Sequence, residues 1–343
     1  MDTTTALTAL AMLYNKTEAP TLSPKYPTLS FEGEVFYNVY FAAEDLGSLT
    51  AANLGLVTFN SKDTEGTVDT AADVIYGAQT SGDLYVVSTN GIAAKNLGDD
   101  LYFKVFAQLE DGSYVYSDLY SYSAAQYAAG VLADSNATDS QKALVVAMLN
   151  YGAAAQTFFG HNTDALMNNA LTAEQQALVS GFSAADLNAV GTVDAAKVGS
   201  FAANGGFTRK YPTVSFEGAF SINYYFVPEN AVDGDMTFYY WTEDTYNTAT
   251  ELTAENADGV TAMTLVDGAY TAVSPELAAK ELDKTIYVAA TYECDGVTYS
   301  SGVLAYSLAG YCQQHAADPA SNMQAFATAA AIYGCAAKEF FAV

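Results

Sequence analysis

Leu29, Phe31, Tyr37, Val39 and Phe41 fall on every second position, and so do Val214, Phe216, Ile222, Tyr224 and Phe226 much later in the chain. Alternation of this kind places one set of side chains on the buried face of a strand. Further on, Leu101 to Leu109 and Ser113 to Tyr120 flank Asp111-Gly112, a dipeptide suited to a tight hairpin, and the stretch from Ile286 to Ser300 repeats the arrangement. Several short strands in about ninety residues predict a small antiparallel β-sandwich. The period then changes. Val145, Met148, Leu149, Gly152, Ala155 and Phe159 are spaced as one face of a helix, with Thr138 and Gln141 set as a capping box before it. A second such helix is expected to start at Asp318-Pro319 and to run through Tyr333-Gly334 to Phe341. A glycine inside a helix costs roughly 1 kcal/mol against alanine, so Gly152 and Gly334 predict close packing by another element. The stretches Ser123 to Ala133 and Ser307 to Ala316 are the expected partner helices.

These patterns occur twice because the sequence does. Tyr26-Pro-Thr-Leu-Ser-Phe-Glu-Gly33 returns as Tyr211-Pro-Thr-Val-Ser-Phe-Glu-Gly218, 185 residues on. Ala93-Ala94-Lys95 answers Ala278-Ala279-Lys280 at 185, Asp111-Gly112 answers Asp295-Gly296 at 184, and Tyr151-Gly152 answers Tyr333-Gly334 at 182. The slow drift is that of small loop deletions within one shared fold. The expected organisation is an α+β fold of two tandem repeats, each a small antiparallel β-sandwich followed by a helical hairpin. Residues 1–20 form an N-terminal segment, 21–165 the first copy, 166–204 a linking segment and 205–343 the second copy.

Composition narrows the partners. The chain has 343 residues, 51% of them hydrophobic, enough for a core in each of two domains. Its net charge of −27 repels phosphate backbones and anionic lipids, so nucleic acid is excluded as a partner class and membrane insertion is not expected. The apolar run Ala6 to Leu13 is too short to span a bilayer, and Asp2 stands where a signal peptide would be positive. With only 15% charged residues, the surface must be carried by Thr, Ser, Asn and Tyr, as on many secreted proteins. Three cysteines, Cys294, Cys312 and Cys335, leave at least one thiol free. Cys312 and Cys335 are read as two buried thiols, with one bridge as the alternative.

Enzyme motifs are scarce. There is no Gly-x-Ser-x-Gly elbow, phosphate-cradling glycine loop or His-Glu-x-x-His, and the two histidines, His161 and His315, are read as surface or cap residues. A glycosidase needs only two carboxylates, but two copies of this length leave no room for a barrel. Asp233-Gly-Asp235 and Asp258-Gly259 read as turns rather than calcium ligands, and Lys95 and Lys280 as residues that cover structure. No cofactor or metal is implied. What stands out is 26 tyrosines and 18 phenylalanines. Tyrosine pairs an apolar ring with a hydroxyl, which suits a ligand such as a sugar, with apolar C–H faces and hydroxyl edges. Phe238-Tyr-Tyr-Trp241, answering Leu56-Val-Thr-Phe59 in the first copy, is the leading platform, with Tyr239, Tyr240 and Trp241 as candidate carbohydrate contacts. The alternative is that Trp241 anchors the core, with Phe59 as its twin. Tyr246 and Tyr76, expected in loops after these strands, complete the candidate set. Asn38 with Tyr40, and Asn223 with Tyr225, lie on the non-core face of a repeated strand.

The run Thr89-Asn-Gly-Ile-Ala-Ala-Lys-Asn-Leu-Gly98, with Ala143-Leu-Val-Val-Ala-Met-Leu-Asn-Tyr-Gly-Ala-Ala-Ala-Gln156, resembles a repeat of secreted and cell-surface proteins of starch-degrading gut anaerobes. Two copies in tandem are similar to the bilobed second domain of amylosome starch adherence system proteins. The resemblance implies a bilobed, non-catalytic, extracellular module that binds starch or maltooligosaccharides, α-1,4-linked glucans, in a groove shared by two lobes. It also implies a parent protein within a dockerin-assembled complex. A cell-surface adhesion or scaffold module that binds another protein is the alternative.

Overall fold

A computed structural model describes residues 19–31, 35–62, 65–216 and 220–342. The N-terminal run Ala6 to Leu13 lies outside the described residues. The chain forms two compact units, one from the described parts of 1–30, 36–90 and 99–127, the other from those of 31–35, 91–98 and 128–343.

The first unit contains β1 (Thr21–Ser30), β2 (Phe36–Glu44), β3 (Leu54–Phe59), β4 (Asp73–Tyr76), β5 (Gln79–Ser81), β6 (Leu84–Ser88), β7 (Leu101–Gln108), β8 (Tyr114–Tyr116) and β9 (Tyr120–Tyr122). They make two antiparallel sheets, β1-β2-β6-β5 and β4-β3-β7-β8, with β9 also on β7. Val39 and Phe41 of one sheet meet Leu54, Leu56, Phe103 and Val105 of the other in a shared core, so the alternating apolar residues close a sandwich. A second, smaller cluster covers the outer side of β3 and β7, where Val57, Phe59 and Phe106 lie under Val68 and Ala71.

The second unit's strands are β10 (Phe207–Arg209), β11 (Thr213–Ser215), β12 (Ser221–Pro228), β13 (Asp233–Trp241), β14 (Gly259–Ala262), β15 (Thr264–Val266), β16 (Ala269–Val273), β17 (Ile286–Cys294), β18 (Val297–Ser300) and β19 (Leu304–Tyr306). Their sheet orders are β10-β12-β16-β15, with β11 also on β12, and β14-β13-β17-β18, with β19 also on β17. Matched strand by strand, the orders are those of the first unit. The register agrees as well: Phe59 faces Tyr102 across its ladder and Trp241 faces Tyr287 across the other.

The helices are α1 (Ala124–Ala133), α2 (Asp139–Phe159), α3 (Ala173–Ala177), α4 (Glu243–Thr248), α5 (Leu308–Ala317) and α6 (Gln324–Phe341). The capping box before α2 is formed: Thr138 Oγ1 accepts from the Gln141 N–H while Gln141 Oε1 accepts from the Thr138 N–H. The start expected at Asp318-Pro319 is displaced to Gln324. Asp318 Oδ1 accepts from the Ala320 N–H at 2.9 Å, a local turn that competes with helix.

Within the second unit α2 and α6 are joined by a column of rings. Phe158 stacks on Phe326 at 5.4 Å, Phe326 on Tyr151 at 5.6 Å, and Tyr151 on Tyr333 at 5.4 Å, all within 15° of parallel. The rings come from the two helices alternately, so the helices run antiparallel. Offset stacks of this kind add about 0.5–1.5 kcal/mol each beyond burial. Beside the column, Gly152 faces the Met167 side chain and Gly334 faces Leu282 and the Ala279 carbonyl. Both glycines therefore do admit a close neighbour, but the neighbours are these residues and not the helices expected from 123–133 and 307–316.

Residues 166–204 are not a free linker. The Asn188 N–H donates to Asp283, the Gly191 N–H to Thr285 Oγ1 at 2.8 Å, and the Gln313 amide to the Ala184 and Leu187 carbonyls. Lys95 lies 5.2 Å from the Phe159 ring and Lys280 4.8 Å from the Phe341 ring, so the repeated lysines cover the ends of α2 and α6. All three cysteines are free, with Cys312 and Cys335 buried. Burial pushes the Cys312 thiol up to about 12. Its neutral form is favoured by folding, so that stabilisation is complete below an unfolded thiol's value, about 8.5, and is lost as pH rises through the folded value. Denaturant unfolding is expected to weaken above about pH 9, by about 1.4 kcal/mol per pH unit from this group, and Cys312→Ala to remove that share of the slope.

Candidate functional site

The proposed platform does not lie open. Trp241 has no exposed surface; its ring packs edge-on to Phe201 at 5.0 Å, and its indole N–H donates to Asn256 Oδ1 at 2.9 Å. A wholly buried ring offers no face to a sugar, which is a correction to the platform reading and favours the core-anchor alternative. Tyr246 is corrected likewise. It lies on α4 instead of in a loop, is buried, and stacks on Tyr287 at 3.5 Å while its hydroxyl accepts from the Asp194 N–H at 2.6 Å. Tyr239 is half-buried, edge-on to Phe201 at 4.8 Å, and Tyr240 is half-buried beside Gly259. The cause is the segment before β10: Phe201 and Val193 cover the outer side of β13 and β17, which the sequence left uncovered.

Tyr76 differs. It ends β4 with half its surface exposed, edge-on to Phe106 at 5.2 Å, its hydroxyl 2.8 Å from that of Tyr114. The Tyr114 phenol is pushed up to about 12, first by that bond from Tyr76. The structure thus places Tyr76 on a tyrosine surface of the first unit and gathers Tyr239, Trp241 and Tyr246 in a core of the second. The Asp-Gly pairs serve structure, but the turn expected at Asp233-Gly-Asp235 is a correction: these residues open β13, at a register shift against β17. At Asp258 burial opposes the charge, but bonds from Thr242 and Thr245 hold its carboxyl below the usual range, and it fixes Thr242, the residue that caps α4. Among the described residues no group of three or more His, Cys, Asp or Glu could hold a metal, and no helix is long and apolar enough to cross a membrane.

An open cavity of the second unit lies where β10 gives way to β11. It encloses about 310 Å³ and is lined by Tyr211, Tyr224, Tyr225 and Tyr306, with Arg209 and Lys210 at its rim. Local backbone explains it. In the first unit β1 runs on past a bulge at Lys25, and Tyr26 stacks on Tyr40 at 5.0 Å. In the second, the strand pairing stops at Arg209 and resumes at Thr213, and Tyr211 stands 94% exposed. Tyr225 is held by its hydroxyl, 2.9 Å from Thr213 Oγ1. Tyr224 is buried and its hydroxyl has no hydrogen-bond partner, while burial pushes the Tyr306 phenol up to about 12. Buried hydroxyls normally find a partner, so the Tyr224 hydroxyl, which has no accessible surface, is a polar cost carried by this wall. Sequence reading missed Tyr211. Its signal was the change from Pro24 to Arg209 beside an otherwise identical Tyr-Pro-Thr motif.

Two outcomes separate core from contact surface. Trp241→Ala is expected to lower the unfolding free energy by about 3–5 kcal/mol in a denaturant titration. Trp241→Phe, which loses the bond to Asn256 and part of the indole's volume, is expected to fold with a smaller loss, about 1–3 kcal/mol of stability.

No family model matches the chain, and no curated protein matches it. Among solved structures the chain is similar to the crystal structure of a Br derivative of BhCBM56, a carbohydrate-binding module, over 30% of this chain and 99% of that one, at 17% identity and a TM-score of 0.19. A TM-score this low defines no shared fold, and neither fold nor function is carried over from it.

Proposed function

We propose that this chain is a non-catalytic carbohydrate-binding module for α-1,4-glucan, starch or maltooligosaccharide, built from two related copies and acting outside the cell. The observation that carries this reading is Tyr211, almost fully exposed at the mouth of a tyrosine-lined cavity, where its first-copy counterpart Tyr26 is half exposed and stacked on Tyr40. A solvent-facing ring beside a cavity of hydroxyls matches a sugar's two kinds of surface. One stacked ring burying roughly 60–100 Å² of apolar area supplies about 1.5–2.5 kcal/mol before losses. The family resemblance supports glucan among sugars, and membership of the parent protein in a dockerin-assembled complex belongs to the same proposal. The burial of Trp241 and Tyr246 favours a second reading, an adhesion or scaffold module that binds protein, since these rings then serve packing alone. Calorimetric titration with maltoheptaose separates the two. Binding is expected in the native chain, with affinity roughly tenfold or more weaker in Tyr211→Ala and stability unchanged. Absence of heat and of retention on insoluble starch would leave the protein-binding reading.

A further inference from the structure

The cavity at Tyr211 carries a charge signature that neutral glucan does not use. Arg209 is the only arginine in a chain of 39 acidic and 12 basic residues, and it stands next to Lys210 at the cavity rim. The cavity lining holds no carboxylate. Both cationic side chains are exposed, and neither forms an ion pair among the described residues. Glu229, at the far end of the same strand pair, accepts from Thr208 Oγ1 at 3.2 Å. The first copy has Pro24-Lys25 at this place, so the second cation accompanies the opening of the cavity. Resting on the glucan reading, we infer that this site takes a sugar bearing an acidic group, a phosphate ester or a carboxylate, with the ring against Tyr211 and Tyr225 and the anion between Arg209 and Lys210. Guanidinium binds both anions in forked geometry and the ammonium adds a point charge. At about 0.15 M salt the screening length is about 8 Å, so the acidic residues elsewhere are damped while this adjacent pair is not.

The experiment is calorimetry on the full chain with three probes of equal length: a maltooligosaccharide carrying a glucose 6-phosphate, the neutral maltooligosaccharide, and an oligosaccharide of uronic acids. The anionic probes are expected to bind about five- to twentyfold tighter than the neutral one at about 50 mM salt, and within about twofold at about 0.5 M. Whether the phosphate or the uronic probe leads identifies the source of the anion. The double variant Arg209→Gln/Lys210→Gln is expected to erase the preference, and the exposed Lys62→Gln of the first unit to retain it. Equal binding of all three probes overturns the inference and leaves the glucan reading standing. Binding of anionic probes alone upholds the inference and overturns neutral glucan as ligand. No binding by any probe overturns both.

Discussion

The stacking of Tyr151 on Tyr333 is the contact on which the helical body turns. It brings together positions that answer one another in the sequence, with Phe158 and Phe326 extending the column on one side. Everything near it is adjusted to let the rings meet. Gly152 and Gly334 follow the tyrosines directly and leave room for Met167 and Leu282, and no Cβ fits there without displacing a neighbour. The Tyr333 hydroxyl lies buried with no partner, and burial drives both phenols far above their ordinary range. A buried, unsatisfied hydroxyl is costly, so ring geometry rather than polar complementarity holds this junction.

Much of the fold was legible because its signals are local. Alternation from Leu29 to Phe41 gave buried inner-face residues, and the Thr138/Gln141 box and the Asp-Gly turns report themselves within four residues. The displaced start of α6 shows the limit of such signals, since Asp318-Pro319 has the right residues for a helix start yet Asp318 bonds to its own turn. Which contacts long-range segments make is not local. That is why Phe201 over Trp241, and the bonds tying 183–204 to Asp283, Thr285 and Tyr246, could not be read from spacing.

The candidate site was misread for the same reason. Aromatic richness pointed to Phe238-Tyr-Tyr-Trp241, but a dense run of rings is what a covered sheet also needs. Exposure depends on what lies on top, and here that is a segment more than thirty residues upstream of the run. Tyr211 carried the opposite risk, because its motif is shared with the first unit, where the matching Tyr26 is stacked on Tyr40 and half covered. The broken pairing between Arg209 and Thr213, together with the change from Pro24 to Arg209, distinguishes them.

One pair of ladder positions couples residue size across the strands of each unit. Val57 faces the buried Lys104 in the first unit, and Tyr239 faces Ala289 at the same place in the second. Each pair sets one small residue against one large, with the sizes reversed between strands. Exchanging one of these strands alone between the units would set tyrosine against lysine, or valine against alanine, crowding one outer layer and hollowing the other. A change of size at either of these positions therefore calls for a compensating change at its own partner, separately in each unit.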